Sequence, residues 1–79
     1  MGYAQQKMLQ LKEVTDELKY LNRLNKAEFH DLFFPQSNNT YVDRKWDRFN
    51  RDKLSFIWGC SLDKLQIVVD YIERCKNEG

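Results

Sequence analysis

Residues 61–75 read SLDKLQIVVDYIERC, and this stretch decides the fold class of the chain. Ser61 is a favoured helix N-cap residue, and Gly59 just before it is typical of a helix end. Apolar residues then recur three and four positions apart, as on one face of an α-helix. They are Leu62, Leu65, Val68, Val69, Ile72 and Cys75. The stretch therefore predicts a closing helix that packs on the rest of the chain.

A second amphipathic stretch runs from about Tyr3 to Phe29 without Gly or Pro, and it predicts one long N-terminal helix. Its apolar stripe fits heptad positions a and d, and the register continues to Asn25. The stripe consists of Leu11, Val14, Leu18 and Leu21. Two heptads fall short of the three or four that indicate a free-standing coiled coil. Two interpretations stay open: the stripe packs on its own chain, or these four residues and Asn25 form a homodimer contact.

The middle of the chain contains the signals for a turn and a second helix. Because the residue before Pro35 is pushed out of the helical region, the first helix ends by Phe33. Thr40, with an acidic residue three positions later, resembles a capping box and predicts a helix that begins near Tyr41. The apolar face of this helix then rotates, which predicts a kink or break at residues 50–52; a single continuous helix with two contact faces is the alternative.

These elements predict an all-α fold of one domain over residues 1–79. Its parts are a long N-terminal helix and a C-terminal helical pair, in a small three-helix bundle. The charged fraction is 32%, above the roughly 25% that is usual, but 14% aromatic residues exceed what a disordered chain carries. A net charge of +1 gives no overall attraction to nucleic acid or an anionic membrane.

The sequence favours a cytoplasmic location and no membrane partner. No apolar run approaches the roughly 18 residues that a membrane span needs, and the N-terminus lacks the pattern of a secretion signal. In that compartment Cys60 and Cys75 are expected to stay reduced.

No catalytic or metal-binding signature is present, so we expect neither an enzyme nor a cofactor. Ser61 next to Cys60, and Asp31 next to His30, are the only candidates for a nucleophile and a base, and adjacency in sequence does not make a triad. Two cysteines and one histidine also fall short of the paired spacing of a structural zinc site.

Aromatic residues near the turn and on the second helix are the first candidates for partner binding. Phe33 and Phe34 flank the turn, and Trp46 lies on the second helix. They either complete the core or form an exposed apolar patch. A patch of this kind on a small protein marks a docking surface.

The second helix also offers a basic edge made of Arg44, Arg48 and Arg51. Oppositely charged residues four positions away, Asp47 and Asp52, are placed to neutralise Arg51 and Arg48. The edge is therefore either a self-neutralised solvated face or a docking edge for an acidic protein surface or a nucleic-acid backbone.

Residues 54–68, LSFIWGCSLDKLQIV, resemble the helix-turn-helix motif of transcriptional regulators. Ser55 takes the place of the small residue of the first helix, Gly59 that of the turn glycine, and Ser61 that of the cap. Cys60 takes the aliphatic place, and Leu65 and Val68 take the inward places of the second helix. The resemblance implies that the last helix lies in a DNA major groove.

The charges of the last helix count against that role. Asp63, Asp70 and Glu73 would face the phosphates together with Gln66, and Arg74 alone does not offset them. The sequence therefore favours a small non-enzymatic regulator, adaptor or inhibitor that binds another protein and self-associates through its N-terminal helix. A DNA-binding regulator is the alternative.

Overall fold

The computed structural model describes residues 2–78 and contains only helices, turns and loops in that range. The predicted all-α fold is confirmed. Six α-helices follow one another: α1 Tyr3–Asp16, α2 Leu18–Leu21, α3 Lys26–Phe33, α4 Asn39–Arg51, α5 Lys53–Trp58 and α6 Leu62–Glu78.

The predicted long N-terminal helix is divided into three helices. Glu17 has φ −116° and ψ 31°, outside the helical region, and its N–H bonds to the Val14 carbonyl at 3.2 Å, which ends α1. Asn25 then caps α3 in a capping box: its Oδ1 accepts from the Glu28 N–H at 2.8 Å, and Glu28 Oε1 accepts from the Asn25 N–H at 3.1 Å. Asn25 is therefore a helix-start residue and not a position of a continuous heptad.

The second predicted helix begins two residues earlier than expected. Asn38, not Thr40, is the N-cap of α4, and its Oδ1 accepts from the Tyr41 N–H at 2.8 Å. Asp43, the acidic residue of the expected box, pairs instead with Lys26 of α3. The ion pair holds the start of α3 beside α4.

The predicted break at residues 50–52 is confirmed and lies at Asp52. This residue ends α4, and its Oδ1 accepts from the Ser55 N–H at 3.0 Å, which caps α5. The predicted turn after α5 is also present. Gly59 is the C-cap of α5, and Ser61 Oγ accepts from the Lys64 N–H at 3.3 Å at the start of α6.

One cluster of buried apolar side chains joins the helices. Its members are Leu11, Val14, Leu21, Leu24, Phe29, Phe33, Val42, Phe49, Ile57, Cys60, Leu65, Val68 and Ile72. α1 packs along α6, and α3 packs on α4 and α6. Phe29 lies at the centre of an aromatic group, with ring centroids between 4.9 and 5.8 Å from Phe33, Phe34, Trp46, Phe49 and Phe56.

Candidate functional site

The stripe that the sequence offered for self-association lies inside its own chain. Leu11, Val14 and Leu21 are buried, and Leu18 is half-buried against the same core. A dimer through these side chains would require the core to open, because they already contact α6 and its neighbours. Of the two interpretations, the structure shows packing on the same chain.

The aromatic candidates for partner binding also belong to the core. Phe33 is fully buried, and Phe34 and Trp46 are half-buried and packed on the core cluster. Trp46 stacks on Phe49 with ring centroids 5.8 Å apart. Of the two interpretations that the sequence left open, the structure shows these three residues packed in or against the core.

The basic edge of α4 lies at the surface and is not neutralised as expected. Arg44, Arg48 and Arg51 are exposed, and none of them forms an ion pair with another residue in the range 2–78. Asp52 Oδ1 caps α5, and Asp52 forms no ion pair with Arg48. Asp47 does not pair with Arg51 either. The guanidinium groups of this edge are available to an external anion.

The face of α6 that resembles a recognition helix is partly taken up by α1. Gln10 Nε2 of α1 donates to Gln66 Oε1 at 2.7 Å, and Lys76 Nζ lies 3.4 Å from Glu17 Oε1. Glu13 shares a hydrogen bond with Glu73, which, together with burial and the charge of Glu73, raises the pKa of Glu13. Of the polar face predicted to meet DNA, Gln66 and Glu73 therefore contact α1.

An exposed apolar groove of about 830 Å³ lies between α1 and Trp58 of α5, and we call it the α1–α5 groove. Met8, Leu9 and Trp58 stand in it with 58%, 56% and 53% of their surfaces exposed. The groove is lined by Ala4, Gln5, Met8, Leu9, Leu11, Lys12, Thr15 and Trp58. Its one charged lining residue, Lys12, is paired with Asp16 at 2.7 Å. The lining is therefore almost wholly apolar and electrically balanced.

Sequence patterns alone did not single out this groove. Met8 lies three positions before Leu11 and continues the spacing of the apolar stripe, and Leu9 lies behind that stripe. The spacing does not show that Leu11 is buried while Met8 stays exposed. The rotated apolar face of the second predicted helix places Trp58 with Ile57, and this pattern does not show that Ile57 is buried while Trp58 is 53% exposed. The sequence contained one signal of this groove: Leu9 gives the N-terminal helix a second apolar edge beside its main apolar stripe.

The described residues offer no cluster that would hold a metal ion. In residues 2–78, no group of three His, Cys, Asp or Glu side chains comes together, and both cysteines are free thiols. Cys60 Sγ donates to the Phe56 carbonyl at 3.3 Å, and burial raises the pKa of its thiol. None of the helices described is both long and apolar enough to cross a membrane.

Three surfaces of the described residues are open to a partner: the α1–α5 groove, the arginine edge of α4 and the exposed side of α6. Comparison with protein families, curated proteins and solved structures gives no match for this chain.

Proposed function

We propose that this chain is a non-enzymatic binding protein of the cytoplasm that dimerises through the α1–α5 groove and binds an acidic surface of another protein. The observation that carries the proposal is the exposure of Met8, Leu9 and Trp58 around one apolar groove. Exposed apolar patches with a polar surround mark interaction sites on small proteins. Trp and Met are also enriched in the buried parts of interfaces.

We propose a second copy of the chain as the occupant of this groove, because the exposed apolar side chains and the groove beside them belong to one surface. A two-fold dimer needs a self-complementary surface, in which each copy inserts its side chains into the other. Leu9 and Trp58 are exposed, and Ala4 and Thr15 line the same groove with smaller side chains. Since Lys12 is already paired with Asp16, two copies would meet with little like-charge repulsion.

The size of the patch sets the expected strength of the dimer. α1 has 14 residues, and a strip about 21 Å long and two helices wide covers about 400 Å² in projection. A standard stable interface covers about 800 Å² per partner. We therefore expect a weak, concentration-dependent dimer, half-dissociated at about 100 µM to 1 mM.

A dimer would present two copies of the arginine edge of α4. Arg44, Arg48 and Arg51 have no ion-pair partner within residues 2–78, so a carboxylate-rich protein surface gains charge-assisted hydrogen bonds there. Two linked edges bind a partner with two acidic sites more tightly than one edge does. This is the way in which we propose that the chain acts as an adaptor or inhibitor.

Sedimentation equilibrium over a concentration series tests the dimer. The weight-average mass of the native chain is expected to rise from 9.6 kDa towards twice that value as the concentration passes the dissociation constant. Met8→Asp is expected to weaken association about tenfold or more, because it places a charge in the apolar contact. Since Met8 is 58% exposed, the monomer should keep its fold.

Ile67→Asp is the matched control for this variant. Ile67 is also an exposed apolar residue of a helix, 38% exposed, and it lies outside the groove. It should leave the mass profile unchanged. A constant 9.6 kDa up to about 2 mM, above the expected range, or equal effects of the two variants, would exclude the groove as the dimer contact.

A DNA-binding role is the second candidate, and one observation favours it. The three arginines of α4 lie on one exposed edge without partners among residues 2–78, as phosphate-contacting residues would. Against it stand the exposed carboxylates Asp63 and Asp70 of α6 and the contact between Gln66 and α1.

A gel shift with duplex DNA at several salt concentrations separates the two functions. Three phosphate contacts would give a log–log slope of about −3, and Arg48→Glu would abolish binding while Arg23→Glu, away from α4, would not. That result would replace the acidic-protein proposal. Absence of a retarded band at low salt, with a dimer in sedimentation, is the outcome we expect.

A further inference from the structure

A second cavity, distinct from the α1–α5 groove, lies where the end of α3 meets α4, α5 and the start of α6. Its volume is about 280 Å³, just below the roughly 300 Å³ at which small-molecule pockets begin. It is lined by Phe33, Phe34, Lys45, Arg48, Ser55, Phe56, Gly59, Cys60, Ser61 and Lys64. We call it the cationic cavity.

The cationic cavity collects three positive charges and no negative one. Lys45 and Arg48 come from α4 and Lys64 from α6, and no carboxylate is among the lining residues. None of the three forms an ion pair within residues 2–78. Like charges that converge without a counter-charge repel each other, so a bound anion would be stabilised by all three.

The two ammonium groups are held in place by aromatic rings. Lys64 Nζ lies 4.5 Å from the centroid of Phe34, and Lys45 Nζ lies 5.2 Å from the centroid of Tyr41. Phe34 and Tyr41 meet edge to face with centroids 5.4 Å apart. The pair of rings thus fixes both lysines at neighbouring points of one surface, which lowers the entropic cost of binding an anion there.

The remaining lining supplies hydroxyl donors and an apolar wall. Ser55 and Ser61 are at the surface of the cavity, and Ser61 Oγ accepts from the Lys64 N–H, which leaves its hydroxyl hydrogen free to donate. Phe34 and Phe56, both half-buried, form the accessible part of the wall, with ring centroids 6.5 Å apart. A ligand with an anionic end and an apolar body would therefore contact both the cations and the phenylalanine wall of the cavity.

We propose that the cationic cavity binds a small phosphate monoester, with the phosphate on Lys45, Arg48 and Lys64 and the organic group against the phenylalanine wall. A phosphate monoester carries a charge of about −1.5 to −2 at pH 7 and has three strong acceptor oxygens. It therefore matches three cations better than a single carboxylate does. Arg48 can also donate two parallel hydrogen bonds to it. This inference is independent of the proposed dimer.

NMR titration of ¹⁵N-labelled native protein at constant ionic strength tests the proposal, with phenyl phosphate and inorganic phosphate as probes. Phenyl phosphate is expected to give saturable shifts confined to the amides of residues 33–34, 45–48 and 55–64. It should bind several-fold more tightly than inorganic phosphate, because only the ester contacts the aromatic wall. Lys64→Gln should weaken phenyl phosphate about tenfold through the lost charge-assisted contact.

Lys53→Gln is the matched control. Lys53 is half-buried like Lys64 and also lies over a phenylalanine, 5.2 Å from the Phe49 centroid, but it does not line the cavity. It should leave the affinity unchanged, and Arg48→Gln, an exposed position, should reproduce the loss if Lys64→Gln fails to fold.

Three results would overturn the proposal. If phenyl phosphate shifts the amides of lysines throughout the chain, and does so equally in Lys64→Gln and Lys53→Gln, the shifts reflect general charge screening. Even very weak sites fill at about 50 mM ligand. If neither phenyl phosphate nor inorganic phosphate saturates the shifts at that concentration, no site exists. Tight binding of a short DNA duplex that depends on Lys64, with no saturation by phenyl phosphate, would assign the cations to a nucleic-acid backbone.

Discussion

Gln10 Nε2 of α1 donates a 2.7 Å hydrogen bond to Gln66 Oε1 of α6, across 56 positions of the chain. Gln10 is 9% exposed, and its own Oε1 has no hydrogen-bond partner among residues 2–78. The contact joins α1 to α6, while Met8 and Leu9 of the same helix stay exposed in the α1–α5 groove. One buried amide thus links the core to the proposed dimer surface.

Loss of this hydrogen bond should be measurable in a double-mutant cycle. Gln66→Ala leaves the whole Gln10 amide unpartnered in a nearly buried position, so we expect a loss of about 1–2 kcal/mol in the free energy of unfolding. In a Gln10→Met background the same substitution should cost less than about 0.5 kcal/mol, because no buried amide is left unpaired. Urea denaturation measures both values, and equal costs in the two backgrounds would contradict the account.

The aromatic core should be sensitive to Phe29. Phe29→Ala removes the ring that contacts five others and is expected to cost about 3–5 kcal/mol. A chain of 79 residues has a total stability of about 4–12 kcal/mol, so the variant should lose a large fraction of its stability and unfold at a much lower urea concentration than the native chain. Tyr3→Ala, at a position 62% exposed, is the control and should change the urea midpoint little. If Phe29→Ala stays folded and keeps the urea midpoint of the native chain, Phe29 does not lie at the centre of the core.

The turn between α5 and α6 should tolerate alanine in place of its glycine. Gly59 has φ −83°, and an added Cβ would lie 3.6 Å from the Phe56 carbonyl oxygen, an ordinary contact. Gly59→Ala should therefore raise the free energy of unfolding by about 0.4–1 kcal/mol, because it restricts the unfolded chain. If Gly59 had a positive φ, alanine would be strained there and the variant would lose stability. A lower urea midpoint for Gly59→Ala would therefore show that Gly59 has a left-handed conformation.

The carboxylates between α1 and α6 should make stability depend on pH. The shared hydrogen bond with Glu73 is the first cause that raises the pKa of Glu13 above its ordinary 4.5, followed by burial and the charge of Glu73. Between pH 4.5 and the raised pKa the folded chain binds more protons than the unfolded chain, so the stability from this group falls as pH rises through that window. Solvent screens the pair, so the effect is small.

Glu13→Gln removes this pH-dependent contribution. At pH 7 we expect the variant to be more stable by about 0.2–0.5 kcal/mol, as for other exposed like-charge pairs. The difference in Tm between variant and native chain should shrink as the pH is lowered to 4. A variant that is less stable at pH 7 would mean that Glu13 acts mainly through Lys76, which lowers its pKa.

Local signals in the sequence predicted part of the fold well. The break at residues 50–52 was predicted from the rotation of the apolar face, and the Ser61 cap from a side chain that bonds to a backbone N–H a few positions away. Bonds of the second kind, which Asp52 also makes at the break, do not depend on the rest of the chain. The same chemistry at Asn25 and Glu28 divides the N-terminal segment. It was missed because the heptad register continued through Asn25.

The candidate sites depended on tertiary contacts that spacing does not determine. Asp52 can either pair with Arg48 or cap α5, and the choice decides whether the basic edge is neutralised. Leu11 and Leu9 are both apolar, and only the position of α6 decides which is buried and which is exposed. For the same reason the cationic cavity, which joins Lys45 to Lys64, has no counterpart in the sequence pattern.

Fluorine NMR of the native chain labelled with 5-fluorotryptophan tests the central claim, that a second copy covers the α1–α5 groove. The chain has two tryptophans: Trp58 stands in the groove, and Trp46 is half-buried on Phe49 and serves as an internal control. As the protein concentration is raised, the Trp58 resonance should shift and lose its solvent isotope effect while Trp46 stays in place, and Met8→Asp should remove the change. If both resonances stay fixed up to about 2 mM, beyond the affinity expected for a patch of this size, or if Trp58 moves equally in Met8→Asp, the groove is not the contact between copies.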